Sequence, residues 1–169
     1  MKIIYFAGFG GKINSFTLSN LSEKYPSAKF VVYDNENPKI AYEQIQKQLK
    51  NIISEQSLII GQSLGGFWAE IFGIKYGVKT ILINPSIEPN ISLKKYDLSS
   101  ENLENYLKFK ENKSLSEKFS IILSSRDEVV DKKPVLEKYN GKTKFIYIDE
   151  NHQIENLEPI FEEIKKIMN

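Results

Sequence analysis

Cysteine is absent from the chain, and histidine and arginine each occur only once, as His152 and Arg126. Without cysteine, the protein has no disulfides, no thiolate nucleophile and no cysteine-ligated zinc or iron–sulfur centre. A metal site built on the single histidine would have to take its other ligands from carboxylates, and the sequence shows no such grouping. We therefore expect no metal site.

An excess of one charge and a long apolar run are also lacking. The chain has 23 Lys+Arg against 22 Asp+Glu, a net charge of +1, which gives no general attraction to nucleic acid or to an anionic membrane. The apolar stretch "IIYFAGFGG" near the start is too short for a signal peptide or a membrane span, and glycines interrupt it. We expect a cytoplasmic protein with neither nucleic acid nor membrane as a partner.

The length of 169 residues suits a single domain spanning 1–169. Six short runs rich in Ile, Val, Phe and Tyr are typical of β-strands. Most of them are continuously apolar, which favours strands buried on both faces of a parallel sheet. The six predicted strands are Lys2–Phe6, Lys29–Tyr33, Leu58–Gly61, Thr80–Ile83, Phe119–Leu123 and Lys144–Ile148.

Helical patterns lie between the predicted strands. Asn37 followed by Pro38 is typical of a helix N-cap and first turn, and Gly77 is a candidate helix end. Apolar residues at helical spacing mark four faces: Leu18, Leu21 and Tyr25; Ala41, Ile45, Leu49 and Ile52; Trp68, Ile71 and Phe72; Ile160, Ile164 and Ile167. The alternation predicts an α/β fold with a six-stranded, mostly parallel sheet and helices on both faces.

One connection, residues 84–120, is longer than a crossover between parallel strands requires. We interpret it as a small cap or lid inserted at the carboxyl edge of the sheet. An ordinary crossover helix with a long loop is the alternative. Its aromatic residues Tyr96, Tyr106 and Phe109 are candidate walls of a pocket, although core packing or surface exposure would also account for each of them.

Ser63 lies between Gly61 and Gly65, where a predicted strand becomes a predicted helix. The pattern Gly-x-Ser-x-Gly in this setting is the nucleophile elbow, a sharp turn that exposes the serine hydroxyl. Side chains at the two glycine positions would collide with the neighbouring strand and helix. The N-terminus of the following helix directs free N–H groups at the site. A glycine-rich turn with an incidental serine is the alternative.

A serine hydroxyl needs a base, and the base needs an orienting acid. At a nucleophile elbow the chain order is serine, then acid, then histidine. His152, after the sixth predicted strand, is the only candidate base, and Asp127, after the fifth, is our candidate acid. Glu128 and Asp131 are rivals for the acid, and each could instead lie in a solvated loop or at a helix N-terminus.

An oxyanion needs two N–H donors. Leu64 follows the nucleophile and should supply one of them, and Phe9 in the glycine-rich loop after the first strand should supply the other. Small residues on both sides of Phe9 would let this backbone approach the site. A phosphate-binding loop is a weaker interpretation, because no Gly-Lys-Ser/Thr follows and the spacing fits neither nucleotide fingerprint.

With these residues in place, the chain resembles small α/β-hydrolases over nearly its whole length, most closely the bacterial YqiA-type esterases. The resemblance is carried by "IIGQSLGGFWA" at the elbow, "INPSIEP" after the fourth strand, "RDEVVD" at the acid and "NHQIEN" at the base. It implies a minimal α/β-hydrolase fold and a serine hydrolase that acts on small-molecule ester or thioester acyl groups. It also implies Ser63, Asp127 and His152 as the catalytic residues, and no cofactor.

The chain departs from that family at Ala7-Gly8, where His-Gly is usual. Backbone donors do not depend on that side chain, so we expect catalysis to survive. The stretch "FAGFG" is also similar to the small esterases that cleave pimeloyl-acyl-carrier-protein methyl ester in biotin synthesis. An acyl carrier protein is therefore an alternative partner, and a non-catalytic binding module is an alternative function. Four lysines could receive an acidic carrier or simply form a solvated helix face: Lys94, Lys95, Lys108 and Lys110.

Overall fold

A computed structural model describes residues 1–11, 16–110 and 116–169. The strands are β1 Lys2–Phe6, β2 Lys29–Val31, β3 Ser57–Gln62, β4 Lys79–Ile83, β5 Phe119–Arg126 and β6 Lys144–Asn151. The helices are α1 Phe16–Lys24, α2 Pro38–Leu49, α3 Leu64–Tyr76, α4 Pro89–Ser92, α5 Ser100–Leu107, α6 Lys133–Tyr139 and α7 Glu158–Met168. Short 3-10 turns lie at Lys94–Tyr96 and Ser116–Lys118. Within these ranges, no helix is long and apolar enough to cross a membrane.

The six strands form one sheet in the order β2-β1-β3-β4-β5-β6, and every pairing is parallel. The prediction of six strands is confirmed, and "mostly parallel" becomes wholly parallel. Strand order reverses at β1, which lies between β2 and β3. Because β1 and β3 are parallel neighbours, the loop after β1 lies beside the end of β3. Ligands in such sheets bind beyond the carboxyl ends of the strands at this reversal.

Two apolar cores cover the two faces of the sheet, as predicted. Residues of α2, α3 and α6 pack on one face, and residues of α1 and α7 pack on the other. Successive residues of β1 alternate between the cores, with Ile4 and Phe6 in the first and Ile3 and Tyr5 in the second. Burial on both faces explains why central strands such as β1, β3 and β4 are continuously apolar.

The helix ends follow the predicted local chemistry. Asn37 accepts hydrogen bonds from the backbone N–H groups of Lys39 and Ile40, and Pro38 is the first helical residue of α2. Gly77 ends α3 with a φ of 63°, a left-handed conformation that glycine adopts without a Cβ clash. These caps fix where α2 begins and where α3 ends.

Part of the connection between β4 and β5 is anchored in the core. Tyr106 is fully buried and packs edge-on against Phe67, while the ring of Phe109 packs against Trp68. Of the two alternatives, pocket wall or core, Tyr106 and Phe109 therefore follow the second: Tyr106 lies in the core beside α3, and Phe109 is partly buried against it. The neighbouring Leu107 is half exposed. A role for residues 84–120 as a cap stays a prediction.

Candidate active site

Ser63 occupies a strained backbone conformation between β3 and α3, with φ 54° and ψ −121°. A positive φ in this region is costly for a residue with a Cβ and persists only where the surroundings enforce it. Here the Ser63 N–H donates to the Ile83 carbonyl (2.9 Å), and its carbonyl accepts from Gly66 (2.9 Å) and Ser86 (3.0 Å). These backbone bonds hold the turn that brings Ser63 to the wall of a cavity.

The two flanking glycines are required by close backbone approach. A Cβ on Gly61 would overlap the Gly65 carbonyl oxygen and the Ala69 side chain in α3. A Cβ on Gly65 would overlap the carbonyl oxygens of Phe6 and Ala7 at the end of β1. The predicted collisions are confirmed, and the missing side chains let α3 start directly against β1.

The only histidine, which directly follows β6, is paired with a buried carboxylate. His152 Nδ1 lies 2.9 Å from Asp127 Oδ2 and 3.0 Å from Oδ1. The Asp127 side chain is 1% exposed, and its Oδ1 also accepts from the N–H groups of Val129 (2.8 Å) and Val130 (3.0 Å). A carboxylate at Nδ1 favours the tautomer with its proton there, which leaves Nε2 as a hydrogen-bond acceptor.

The electrostatics of this pair favour an ionised acid. Burial alone would raise the pKa of the Asp127 carboxyl. The hydrogen bond from His152 and the backbone N–H groups of Val130 and Val129 outweigh burial, and the pKa of Asp127 is lowered below its ordinary value. Asp127 is therefore a carboxylate at neutral pH and can stabilise a positive charge on the imidazole.

The two rival carboxylates lie elsewhere. Glu128 is exposed, and its Oε2 accepts from the backbone N–H of His152 at 3.3 Å. Asp131 accepts from the backbone N–H of Lys133 (2.9 Å) at the start of α6. The structure therefore brings Asp127 to the imidazole ring, Glu128 to the main chain of the same histidine, and Asp131 to a helix end.

The loop after β1 is in contact with Ser63. A Cβ built on Gly8 would lie 3.0 Å from Ser63 Cβ and 3.6 Å from its Oγ. The Gly8 carbonyl accepts from the N–H of Gly11 at 2.9 Å. In a planar trans peptide the carbonyl and the next N–H point in opposite directions, so the Phe9 N–H points away from this turn. The Phe9 N–H is thus left available for another acceptor.

Leu64 is the first residue of α3, so its N–H has no acceptor within the helix. Its position directly after Ser63 places this donor at the positive end of the helix dipole. The backbone of the β1 loop is held from its other side: Tyr33 donates its hydroxyl to the Ala7 carbonyl, and the Gly10 N–H donates to Asn35 Oδ1 at 3.1 Å. Leu64 thus directly follows Ser63, and Phe9 follows the glycine that contacts Ser63; their role as oxyanion donors stays a prediction.

A cavity of about 800 Å³ opens at this edge, and Ser63, His152 and Phe9 all line it. Much of the wall is apolar: Phe9, Phe16, Leu93, Tyr96, Val129, Val130 and Ile154. Of the three predicted wall aromatics, Tyr96 is found there, and its ring stacks on Phe9 with centroids 4.5 Å apart. Such a wall suits an apolar group on the bound molecule.

Two amide side chains at the site were missed by sequence reasoning. Gln62 Nε2 donates to the His152 carbonyl at 3.4 Å, and its Oε1 accepts from the Tyr5 hydroxyl at 2.9 Å. Asn84 is buried, and its Nδ2 donates to the same His152 carbonyl at 3.3 Å. Their only signals are that each lies at a strand end, Gln62 directly before Ser63 and Asn84 directly after β4.

Two of the four lysines that could receive a carrier have partners within the chain. Lys108 donates to Asn105 Oδ1 at 2.6 Å, and Lys110 pairs with Glu88 at 2.7 Å. Lys94 and Lys95 are exposed next to Tyr96. Across residues 1–11, 16–110 and 116–169, no three acidic or histidine side chains are grouped in a way that would hold a metal ion.

Comparison with known proteins agrees with this geometry. Residues 2–169 match the family described as Uncharacterised protein family (UPF0227). A UPF0227 protein of Yersinia pseudotuberculosis is 27% identical over 178 residues, which cover 96% of each chain.

Solved structures are similar in fold. Mouse alpha/beta hydrolase domain-containing protein 10 gives a TM-score of 0.74 at 13% identity, over 98% of this chain and 87% of its own. The Pyrococcus furiosus esterase Pf2001 gives a TM-score of 0.64 at 16% identity, over 98% of this chain and 79% of its own. The resemblance to YqiA-type proteins is confirmed: the chain belongs to the UPF0227 family and has the α/β-hydrolase fold.

Proposed function

We propose that the protein is a serine hydrolase that cleaves carboxylic ester or thioester bonds through an acyl-enzyme intermediate. One observation carries the proposal. The strained Ser63 and His152 line the same cavity, and Asp127 is bonded to the ring of His152. The cavity lies at the edge of the sheet where this fold binds ligands. A buried carboxylate–imidazole pair and a serine on an elbow at the cavity wall are the parts that acyl transfer requires.

In the first half-reaction, Ser63 Oγ attacks the carbonyl carbon of the substrate while His152 Nε2 accepts the hydroxyl proton. The oxyanion that forms accepts hydrogen bonds from the N–H groups of Phe9 and Leu64. Asp127 keeps the proton of the neutral ring on Nδ1 and stabilises the imidazolium. When the tetrahedral intermediate collapses, His152 donates its proton to the departing alcohol or thiol, and the acyl group remains on Ser63.

In the second half-reaction, water replaces the leaving group. His152 accepts a proton from water as the water oxygen attacks the acyl carbonyl, and the same two N–H groups stabilise the second oxyanion. Collapse releases the carboxylic acid and returns the proton to Ser63. The enzyme ends in its starting state, with no metal or cofactor required at any step.

The cavity supports a substrate class with a largely apolar acyl group. Its volume of about 800 Å³ lies within the range of small-molecule sites. Leu93 and Tyr96 bring the connection after β4 into the wall, which supports a role for that segment in acyl selectivity. A small-molecule ester or thioester is therefore the proposed substrate.

The proposal is tested with a fluorophosphonate, which labels a nucleophilic serine covalently. We expect labelling of the wild type and hydrolysis of short p-nitrophenyl esters, and loss of both in Ser63→Ala. Ser22→Ala is the matched control, because Ser22 only donates to the Leu18 carbonyl within α1 (2.9 Å) and lies outside the cavity lining. A wild type that is folded but neither labelled nor active would instead support a non-catalytic binding module.

A further inference from the structure

The main chain of His152 is held on both sides by side chains. Its N–H donates to Glu128 at 3.3 Å, and its carbonyl oxygen accepts from Asn84 at 3.3 Å and from Gln62 at 3.4 Å. A carbonyl oxygen has two lone pairs, so it can accept both amides at once. The peptide groups before and after His152 are therefore each restrained, independently of the hydrogen bond between its ring and Asp127.

Asn84 is the most connected of these side chains. It is 2% exposed, with a φ of 42°, a left-handed conformation that asparagine tolerates better than most residues. Its Oδ1 accepts from the Ser124 N–H (2.7 Å), and its Nδ2 donates to Ser124 Oγ (2.8 Å) as well as to His152. One buried amide thus joins the end of β4 to β5 and to the segment after β6.

We propose that Asn84, together with Gln62, is a positioning residue for His152. The two amides, at the ends of the neighbouring strands β3 and β4, both donate to the carbonyl of His152. These bonds keep Nδ1 of the imidazole beside Asp127 and direct Nε2 to the reacting serine. The catalytic consequence rests on the proposed function, whereas the positioning itself does not. Positional errors of about 1 Å at a reacting group cost roughly 100-fold in rate, which gives such restraints their value.

A purely structural role would predict something different. If Asn84 only joined β4 to β5, its loss would lower stability and leave the ring of His152 unchanged. If Asn84 positions His152, its loss loosens the bond between Asp127 and Nδ1, and the neutral ring then populates the tautomer with its proton on Nε2. Two charged groups are bonded to His152, Asp127 at the ring and Glu128 at the backbone N–H, and Glu155 lines the same cavity.

The single histidine makes this measurable, because its imidazole nitrogens give the only such signals in an NMR spectrum of the protein purified without a histidine tag. We compare the wild type with Asn84→Gly, which keeps the left-handed backbone and removes the side chain. Ser124→Ala is the matched control: it loses the hydroxyl partner of Asn84 but keeps the donor to His152. We expect a neutral ring protonated on Nδ1 in the wild type and control, and a mixture of tautomers in Asn84→Gly.

In the same samples we expect kcat to fall about 10- to 100-fold in Asn84→Gly, with KM changed less than about twofold. In Gln62→Leu we expect a smaller fraction of the Nε2-protonated tautomer than in Asn84→Gly. In the double variant we expect a fraction larger than the sum of the two, because the His152 carbonyl has then lost both side-chain donors. If Asn84→Gly does not fold, Asn84→Asp replaces it. That variant keeps acceptors for Ser124 but has no N–H to donate to the His152 carbonyl, so we expect the same mixture of tautomers as in Asn84→Gly.

A folded Asn84→Gly with wild-type tautomer overturns the inference, whether or not its kcat falls. A tautomer shift equal to that of Ser124→Ala also overturns it, since the effect would then come from the sheet. A tautomer shift in a protein whose wild type neither hydrolyses esters nor reacts at Ser63 supports the positioning role and rejects the proposed function. The two proposals therefore fail separately.

Discussion

Replacing Asp127 by asparagine should abolish hydrolysis while leaving the fold nearly intact. The amide has the same shape, so its oxygen can still accept from Val129 and Val130, as the carboxylate does at 2.8 and 3.0 Å. The amide nitrogen then faces His152 Nδ1. Two N–H groups cannot bond to each other, so the ring moves its proton to Nε2, and that nitrogen can no longer accept the proton of Ser63.

The expected losses of activity and stability differ widely. The corresponding exchange in the best-understood serine protease lowers kcat about 10,000-fold, which is about 5.4 kcal/mol at about 1.36 kcal/mol per decade. For stability, the exchange turns hydrogen bonds to a charged group, about 1.5–3 kcal/mol each, into neutral ones of about 1 kcal/mol. Burial disfavours the carboxylate but not the neutral amide, which offsets part of this difference, so we expect the free energy of unfolding to fall by about 1–2 kcal/mol.

The stability difference should also depend on pH. Although burial raises the pKa of Asp127, its hydrogen bonds lower it more, so the folded-state pKa lies below the unfolded one. Such a group contributes stability that is fully present above the unfolded pKa, about 4, and is lost as the pH falls through the folded pKa. The unfolding free energies of wild type and Asp127→Asn should therefore converge below about pH 4.

The assay is kcat for a short p-nitrophenyl ester, measured beside urea unfolding. Asp131→Asn is the matched control, because Asp131 is in the same loop and its carboxylate accepts from the Lys133 N–H at 2.9 Å. We expect the control to stay within about twofold of wild-type kcat, since Asp131 does not contact the imidazole pair. A folded Asp127→Asn with more than a tenth of wild-type kcat would refute the assignment of Asp127 as the orienting acid.

Three further predictions test the elbow, the oxyanion loop and the cavity wall. Gly65→Ala should destabilise the protein by about 3 kcal/mol or more, because the new Cβ overlaps the Phe6 and Ala7 carbonyl oxygens. A urea unfolding midpoint equal to that of the wild type would contradict this. Tyr33→Phe removes the hydroxyl that donates to the Ala7 carbonyl, so kcat should fall about fivefold, equivalent to about 1 kcal/mol. An unchanged kcat would show that this hydrogen bond does not support the loop after β1. Tyr96→Leu should change the preference for acyl chain length more than the rate with acetate esters, whereas an equal loss on all chain lengths would indicate a folding role.

The fold and much of the site were predictable because their signals are local. Short apolar runs, most of them continuous, marked all six strands. The ends differ: β2 stops at Val31, two residues before its predicted end, and β5 and β6 extend three residues further, to Arg126 and Asn151. The glycines around Ser63 were required by contacts that any strand-to-helix elbow makes. Asp127 and His152 follow strands whose carboxyl ends share one edge of the sheet.

The remaining features depend on contacts between distant parts of the chain. Gln62 and Asn84 lie 90 and 68 residues from His152 along the chain, and nothing in their local sequence marks them as its partners. Sequence left open whether Tyr106 and Phe109 line the pocket or pack in the core, and only the contacts of both rings with Trp68 decide for the core. The cytoplasmic location and an acyl carrier protein as a partner stay predictions.

The central claim is that hydrolysis proceeds through an acyl group on Ser63. The direct measurement is mass spectrometry of the protein quenched with acid during turnover of a p-nitrophenyl ester. We predict a mass increase equal to one acyl group on the peptide that contains Ser63, absent in Ser63→Ala. Ester hydrolysis at the wild-type rate by folded Ser63→Ala, or an acyl group found on a different residue during turnover, would contradict the account.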